Sequence, residues 1–118
     1  MLRTKSLDFA VRIVKFYKYL YEEKKEYVMS KQILRSGTSI GANVREGLNA
    51  QSRKDFISKL NIALKEAGET DYWLDVIHSA EYFTDQKYDS LKADNDELLK
   101  LLTSTIKKTK ENGIAEKN

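Results

Sequence analysis

The chain has 118 residues, a length suited to one domain, with 41% hydrophobic and 33% charged residues and a formal net charge of +3. It has no cysteine, which excludes disulfides, thiolate metal sites and cysteine nucleophiles, and no proline, which leaves long helices uninterrupted. No apolar run approaches the ~20 residues of a membrane span. The opening MLRTKSLDF lacks the apolar core of a secretory signal, so a cytoplasmic location is expected.

The first predicted helix runs from about Ser6 to Lys25, with Ser6 as its cap. Phe9, Ala10, Ile13, Phe16, Tyr17 and Leu20 recur every three or four residues and form one apolar stripe. The polar knot EEKKE closes it. The second helix starts with Ser30 as its expected cap and runs to about Leu48. It contains RSGTSIGANVREG, which holds three of the five glycines, yet keeps the apolar spacing Ile33, Gly37, Ile40, Val44, Leu48. Glycine inside a helix costs about 1 kcal/mol against alanine. Gly37 and Gly41, one turn apart, therefore point to a seam where a neighbouring helix comes close.

The third helix follows Ser52, which with Asp55 resembles a capping box. Its stripe is Phe56, Leu60, Ala63, Ala67, Thr70, Leu74 and Ile77, and it should continue to about Ala80. The fourth begins near Thr84 or Asp85 and runs to about Glu111, with Leu91, Leu98, Leu102, Thr105 and Ile106 facing inward. Gly113 is expected to end it, leaving residues 113–118 as a frayed tail. The connections are short, so successive helices must lie antiparallel. The predicted fold is all-α, a single-domain up-down-up-down antiparallel four-helix bundle spanning residues 1–118.

Three groups of residues could carry chemistry. Asp71, Asp75 and His78 fall on one helix face, and Asp75 with His78 has the carboxylate-x-x-histidine spacing of di-iron bundles. Such a site needs a second pair of that kind, and the chain has one histidine. No metal and no cofactor are therefore assigned. Arg35, Asn43, Arg45 and Glu46 in the second helix, with Glu66, Glu69, Tyr72 and Trp73 in the third, suggest a polar and aromatic network. Buried polar groups must find partners, so this set reads as fixing helix register or a subunit contact. A general acid or base is the weaker reading. The serines lack a nearby histidine and the glycines follow no strand, so neither a serine hydrolase nor a nucleotide loop is supported. No catalytic residue is assigned, and an enzyme is not expected.

The third group is basic. Residues 1–36 hold nine Lys or Arg and four Asp or Glu, a balance of 9 − 4 = +5; residues 37–84 give 5 − 7 = −2 and residues 85–118 give 7 − 7 = 0. Arg3, Lys5, Arg12, Lys15 and Lys18 of the first helix are the candidate nucleic-acid contacts. Phe16, Tyr17, Tyr19 and Tyr21 interleave with lysines there, a mixture that binds single strands by charge and stacking. Phe16 and Tyr17 should face the core, leaving Tyr19 and Tyr21 for an exposed or subunit-contact face.

The segments SIGANVREG (Ser39 to Gly47), SRKDF (Ser52 to Phe56) and LNIALKEAGET (Leu60 to Thr70) carry a family resemblance. The chain resembles the four-helix-bundle proteins of the 23S rRNA intervening-sequence family, relatives of the accessory variability determinant of diversity-generating retroelements. The resemblance covers nearly the whole chain. It places Ser39, Ala42, Asn43, Glu46 and Gly47 on the signature of the second helix. Asp55, Phe56, Ala63, Glu66 and Glu69 fall on that of the third. The family often has proline where this chain has Gly41. The resemblance implies a homo-oligomer, a ring-like pentamer, without enzymatic activity. It also implies RNA or DNA, and a reverse transcriptase or another protein, as partners. The leading expectation is a nucleic-acid-binding oligomer, and the rival is a protein–protein adaptor of the same fold. No membrane partner is expected.

Overall fold

The computed structural model describes residues 1–117, with side chains as far as residue 113. The last residue, Asn118, and the side chains of the expected frayed tail beyond Gly113 lie outside the described residues. Four helices build the protein: α1 (Leu2–Lys18), α2 (Met29–Leu48), α3 (Arg53–Ser79) and α4 (Asp85–Lys117). A π-helical turn, Tyr19–Glu23, prolongs α1. The bundle is all-α and up-down-up-down, an elongated rod of 56 × 22 × 20 Å. Each helix packs on its chain neighbour, and α1 closes the ring against α4.

The apolar stripes meet along the axis. Phe9, Ile13, Phe16 and Leu20 of α1 and its π turn face Ile33, Ile40 and Val44 of α2 in one buried cluster. Leu60, Ala63, Ala67, Leu74 and Ile77 of α3 join it, with Leu91, Leu98, Leu102 and Ile106 of α4. Ala10, Tyr17, Phe56 and Thr105 sit at the margin, half-buried. Leu48 departs from expectation: half of it is exposed. Gly47 takes the inward position there, because a Cβ on it would lie 3.3 Å from Lys59 Cβ and 3.5 Å from the Phe56 carbonyl oxygen.

α2 runs through its glycines without a break. A Cβ on Gly37 would fall 2.8 Å from both γ-carbons of Ile13, and one on Gly41 would fall 3.2 Å from the Ser6 carbonyl oxygen. The glycine face is thus the seam with α1, and the missing side chains bring the two helices together.

The helix ends hold most of the corrections. α1 begins at Leu2, so Ser6 is not its cap. Ser6 is buried opposite Gly41, and its hydroxyl donates to the Arg3 carbonyl at 3.2 Å. Ser30 does not cap α2 either. The buried Glu26 carboxylate accepts from the backbone N–H groups of Val28 (3.0 Å), Met29 (3.2 Å) and Ser30 (2.8 Å), while the Ser30 hydroxyl donates to the Glu26 carbonyl at 2.8 Å. These N–H groups have no partner within the helix, and a negative charge there also meets the positive end of the helix dipole. Ser52 does cap α3, accepting from the Asp55 N–H at 3.0 Å. Thr84 accepts from the Lys87 N–H at 3.2 Å at the start of α4. Gly113 does not end α4. No glycine has positive φ, so the left-handed stop is not made. Gly113 instead makes room for Arg53, whose Cδ would lie 3.2 Å from a Cβ at that position. Among the described residues the left-handed ones are Lys25 (φ 55°) and Glu81 (φ 67°), which turn the chain after the π turn and after α3.

Candidate nucleic-acid interface

The five basic residues expected on α1 divide into two sets. Lys5 pairs with Glu97, and Arg12 reaches Asp94 at 2.6 Å and the Ser90 hydroxyl at 2.9 Å, both across to α4. The hydrogen bond to Glu97 raises the Lys5 pKa above its ordinary value. These two cations are spent on closing the α1–α4 contact. Arg3, Lys15 and Lys18 are exposed, and no acidic side chain among the described residues pairs with them. Arg3 lines a groove of about 150 Å³ over the glycine seam, with Leu7, Ala10, Thr38, Ala42 and Arg45.

Arg45 was expected in the network between α2 and α3, and the structure places it on the other side of α2, at this groove. Two guanidinium groups therefore share one shallow, apolar-walled depression. Lys31 adds another exposed charge on α2. The outward face of α1 and α2 also carries Leu7 and Val11, each about half exposed.

The rest of the expected network is partly assembled. Arg35 of α2 reaches across to Glu66 at 3.0 Å and to Glu69 at 2.5 Å. The Trp73 indole N–H donates to Glu69 at 3.4 Å, and Tyr72 stands edge-on to Trp73 at 5.1 Å. The hydrogen bond from Arg35 lowers the Glu69 pKa, and Glu69 in turn raises that of Arg35. Asn43 turns back on its own helix, donating to the Ser39 carbonyl at 2.9 Å, and Glu46 pairs with Lys59 at 3.5 Å. Neither joins the Arg35 cluster. The sequence reading also missed a buried link beneath it, the Thr70 and Ser36 hydroxyls 3.0 Å apart.

Asp71, Asp75 and His78 are split by α4. The Lys92 ammonium lies 2.6 Å from Asp71 and 2.8 Å from Asp75, and the Tyr88 hydroxyl donates to Asp75 at 2.5 Å. Hydrogen bonds from Lys92 and Tyr88 lower the Asp75 pKa, and Asp75 raises that of Tyr88. Burial pushes the Lys92 ammonium down, but the two carboxylates outweigh it and the net shift is upward. His78 turns to Asp85 at 2.7 Å and stacks on Tyr88 at 4.0 Å. Asp71 and Asp75 thus form an ion cluster with Lys92 that joins α3 to α4, while His78 makes a separate contact with Asp85.

The profile of the 23S rRNA-intervening sequence protein family matches residues 2–104. The chain belongs to this family. A solved structure adds to the match: a protein with unknown function from the S23 ribosomal protein family of Bacteroides thetaiotaomicron VPI-5482. It is 63% identical, covers 90% of this chain and 95% of its own, and superposes with a TM-score of 0.89. Among curated proteins none matches. The 23S rRNA-intervening sequence family match and this solved relative agree on the four-helix fold. No described helix is long and apolar enough to cross a membrane.

Proposed function

We propose that the protein is a non-enzymatic, homo-oligomeric, cytoplasmic bundle that binds RNA through the outward face of α1 and α2. The observation that carries this reading is the uneven pairing of its cations. Lys5 and Arg12 are held by α4 carboxylates, whereas Arg3, Lys15, Lys18, Lys31 and Arg45 face outward with no acidic partner among the described residues. Free cations gathered on one face attract a polyanion and release its counterions on contact. The 23S rRNA in the family's name supports RNA as that polyanion. A closed ring, a pentamer by the family resemblance, would repeat the basic face and multiply its field.

The test is an RNA titration by fluorescence anisotropy across a range of salt. Affinity should fall steeply as salt rises. The triple variant Arg3→Ala/Lys18→Ala/Arg45→Ala should lower the slope by roughly two units per bound protomer, at about 0.7 per single-strand phosphate. The pair Lys5→Ala/Arg12→Ala should lower it less. No binding at low salt would end the reading. A specific protein partner on pulldown, without salt-sensitive RNA binding, would favour an adaptor, for which the exposed Ile62 and Tyr72 on α3 supply surface.

A further inference from the structure

Resting on the RNA reading, we propose that the nucleic acid is taken as an unpaired single strand, whose bases stack on Tyr21 and Tyr27 where α1 turns into α2. Three tyrosines meet at this end of the bundle. Tyr17 and Tyr21 have ring centroids 5.6 Å apart, and Tyr21 and Tyr27 stand edge to face at 4.8 Å. An edge-to-face pair leaves ring faces that neither partner covers. Tyr21 is 39% exposed, Tyr27 47% and the adjoining Val28 72%. Among the described residues the three phenol oxygens make no hydrogen bond, so the rings are not placed there to satisfy their hydroxyls.

Charge complements the rings. Residues 15–31 contain five lysines (Lys15, Lys18, Lys24, Lys25, Lys31) against Glu22, Glu23 and Glu26, a balance of 5 − 3 = +2. One of those carboxylates, Glu26, is buried in the α2 cap and turned from solvent. Exposed aromatic faces among lysines are the pattern that binds single strands, because every base offers a π-face while phosphates need only charge. A duplex hides its base faces between neighbouring pairs and gains nothing from the rings.

The tyrosines also continue the cationic face. Tyr17 lies 14 residues along α1 from Arg3, about 21 Å at 1.5 Å per residue. The aromatic end and the Arg3–Arg45 groove thus mark two ends of one strip along the α1–α2 seam. A strip of that length accommodates several nucleotides.

The experiment compares a uridine oligomer of about 12 nucleotides with an RNA duplex of similar length. Both are titrated by anisotropy against the wild-type protein, the Tyr21→Leu/Tyr27→Leu variant and Tyr72→Leu. Leucine keeps an apolar side chain at exposed positions, and circular dichroism with a thermal melt checks that each variant folds. The wild type should prefer the single strand. The double leucine variant should weaken single-strand binding by about tenfold or more, with duplex binding unchanged and Tyr72→Leu indistinguishable from wild type. Equal affinity for both RNAs, untouched by the leucines, would overturn the proposal and leave the RNA reading standing. Absence of wild-type binding to either RNA would overturn both.

Discussion

Gly37→Ala puts the close seam between α1 and α2 to a direct test. The added Cβ would lie 2.8 Å from Ile13 Cγ1 and Cγ2 and 3.2 Å from its Cβ. Ile13 is fully buried, and its β-branched side chain strongly prefers one rotamer in a helix, so it has little room to turn aside. Alanine gains about 1 kcal/mol in helix propensity, while overpacking a closed core costs about 1–3 kcal/mol. Two simultaneous contacts inside van der Waals range place the cost at the upper end, for a net loss of about 2 kcal/mol. At about 4 °C per kcal/mol for a chain of this size, Tm should fall by roughly 8 °C. Gly68→Ala is the control, because nothing lies within 4 Å of a Cβ there. It should stabilise by about 0.5–1 kcal/mol. Ile13→Ala alone should cost about 2–5 kcal/mol, and in that background Gly37→Ala should become neutral or stabilising. Urea denaturation of the four variants reads the cycle. If Gly37→Ala stabilises the wild type as much as Gly68→Ala does, the close-packing argument is wrong.

Glu26→Ala should lower stability by about 1–2 kcal/mol, because the α2 N–H groups lose a charged cap; Ser30→Ala should cost less, and denaturant melts will rank them. Glu69→Ala should cost less than about 1 kcal/mol, since the Arg35 pair is half-exposed. An unchanged melting point would remove the Arg35–Glu69–Trp73 cluster from the list of stabilising contacts. Asp75 and Glu69 have lowered folded pKa values, so the unfolded chain binds more protons; stability should be full above the ordinary carboxylate range near pH ~4 and fall below it. Lys92 and Tyr88 have raised folded values, so their contribution should be full below about pH 10 and decline as pH rises further. A stability profile flat on both sides would contradict the assigned pairings. It is read by urea denaturation across pH.

The bundle was legible because its cause is periodic. Stripes such as Phe9–Ile13–Phe16–Leu20 and Leu60–Ala63–Ala67–Leu74–Ile77 report their own burial, and the Gly37–Gly41 pair reported a close approach before its partner was known. Helix ends were less legible because a serine near a predicted start looks like a cap whether or not it is one. Ser6 proved to be a small residue beneath Gly41, and the true α2 cap is a glutamate outside the usual set. Gly113 misled for a similar reason: a small residue can serve packing as readily as stopping.

The candidate site was harder still. Whether a lysine is free depends on what stands opposite, and Lys5 and Arg12 find carboxylates about 80–90 positions away on α4. Only the ring closure of α1 on α4 brings them together. Asn95 gave no signal either: its side chain is buried in α4, donates to the Ala67 carbonyl at 3.0 Å, and leaves its own oxygen without a partner among the described residues. Arg35 and Glu69 could be paired from their helices, but Arg45, ten residues on from Arg35, looks toward α1 instead.

The central claim is that RNA lies along the outward face of α1 and α2. Photo-crosslinking of the protein to a single-stranded RNA, followed by mass spectrometry of the adducts, tests it most directly. Adducts should fall on peptides carrying Arg3, Lys18, Tyr21, Tyr27 and Arg45, and should disappear at high salt. Adducts confined to α3 and α4, or none at low salt, would contradict the account.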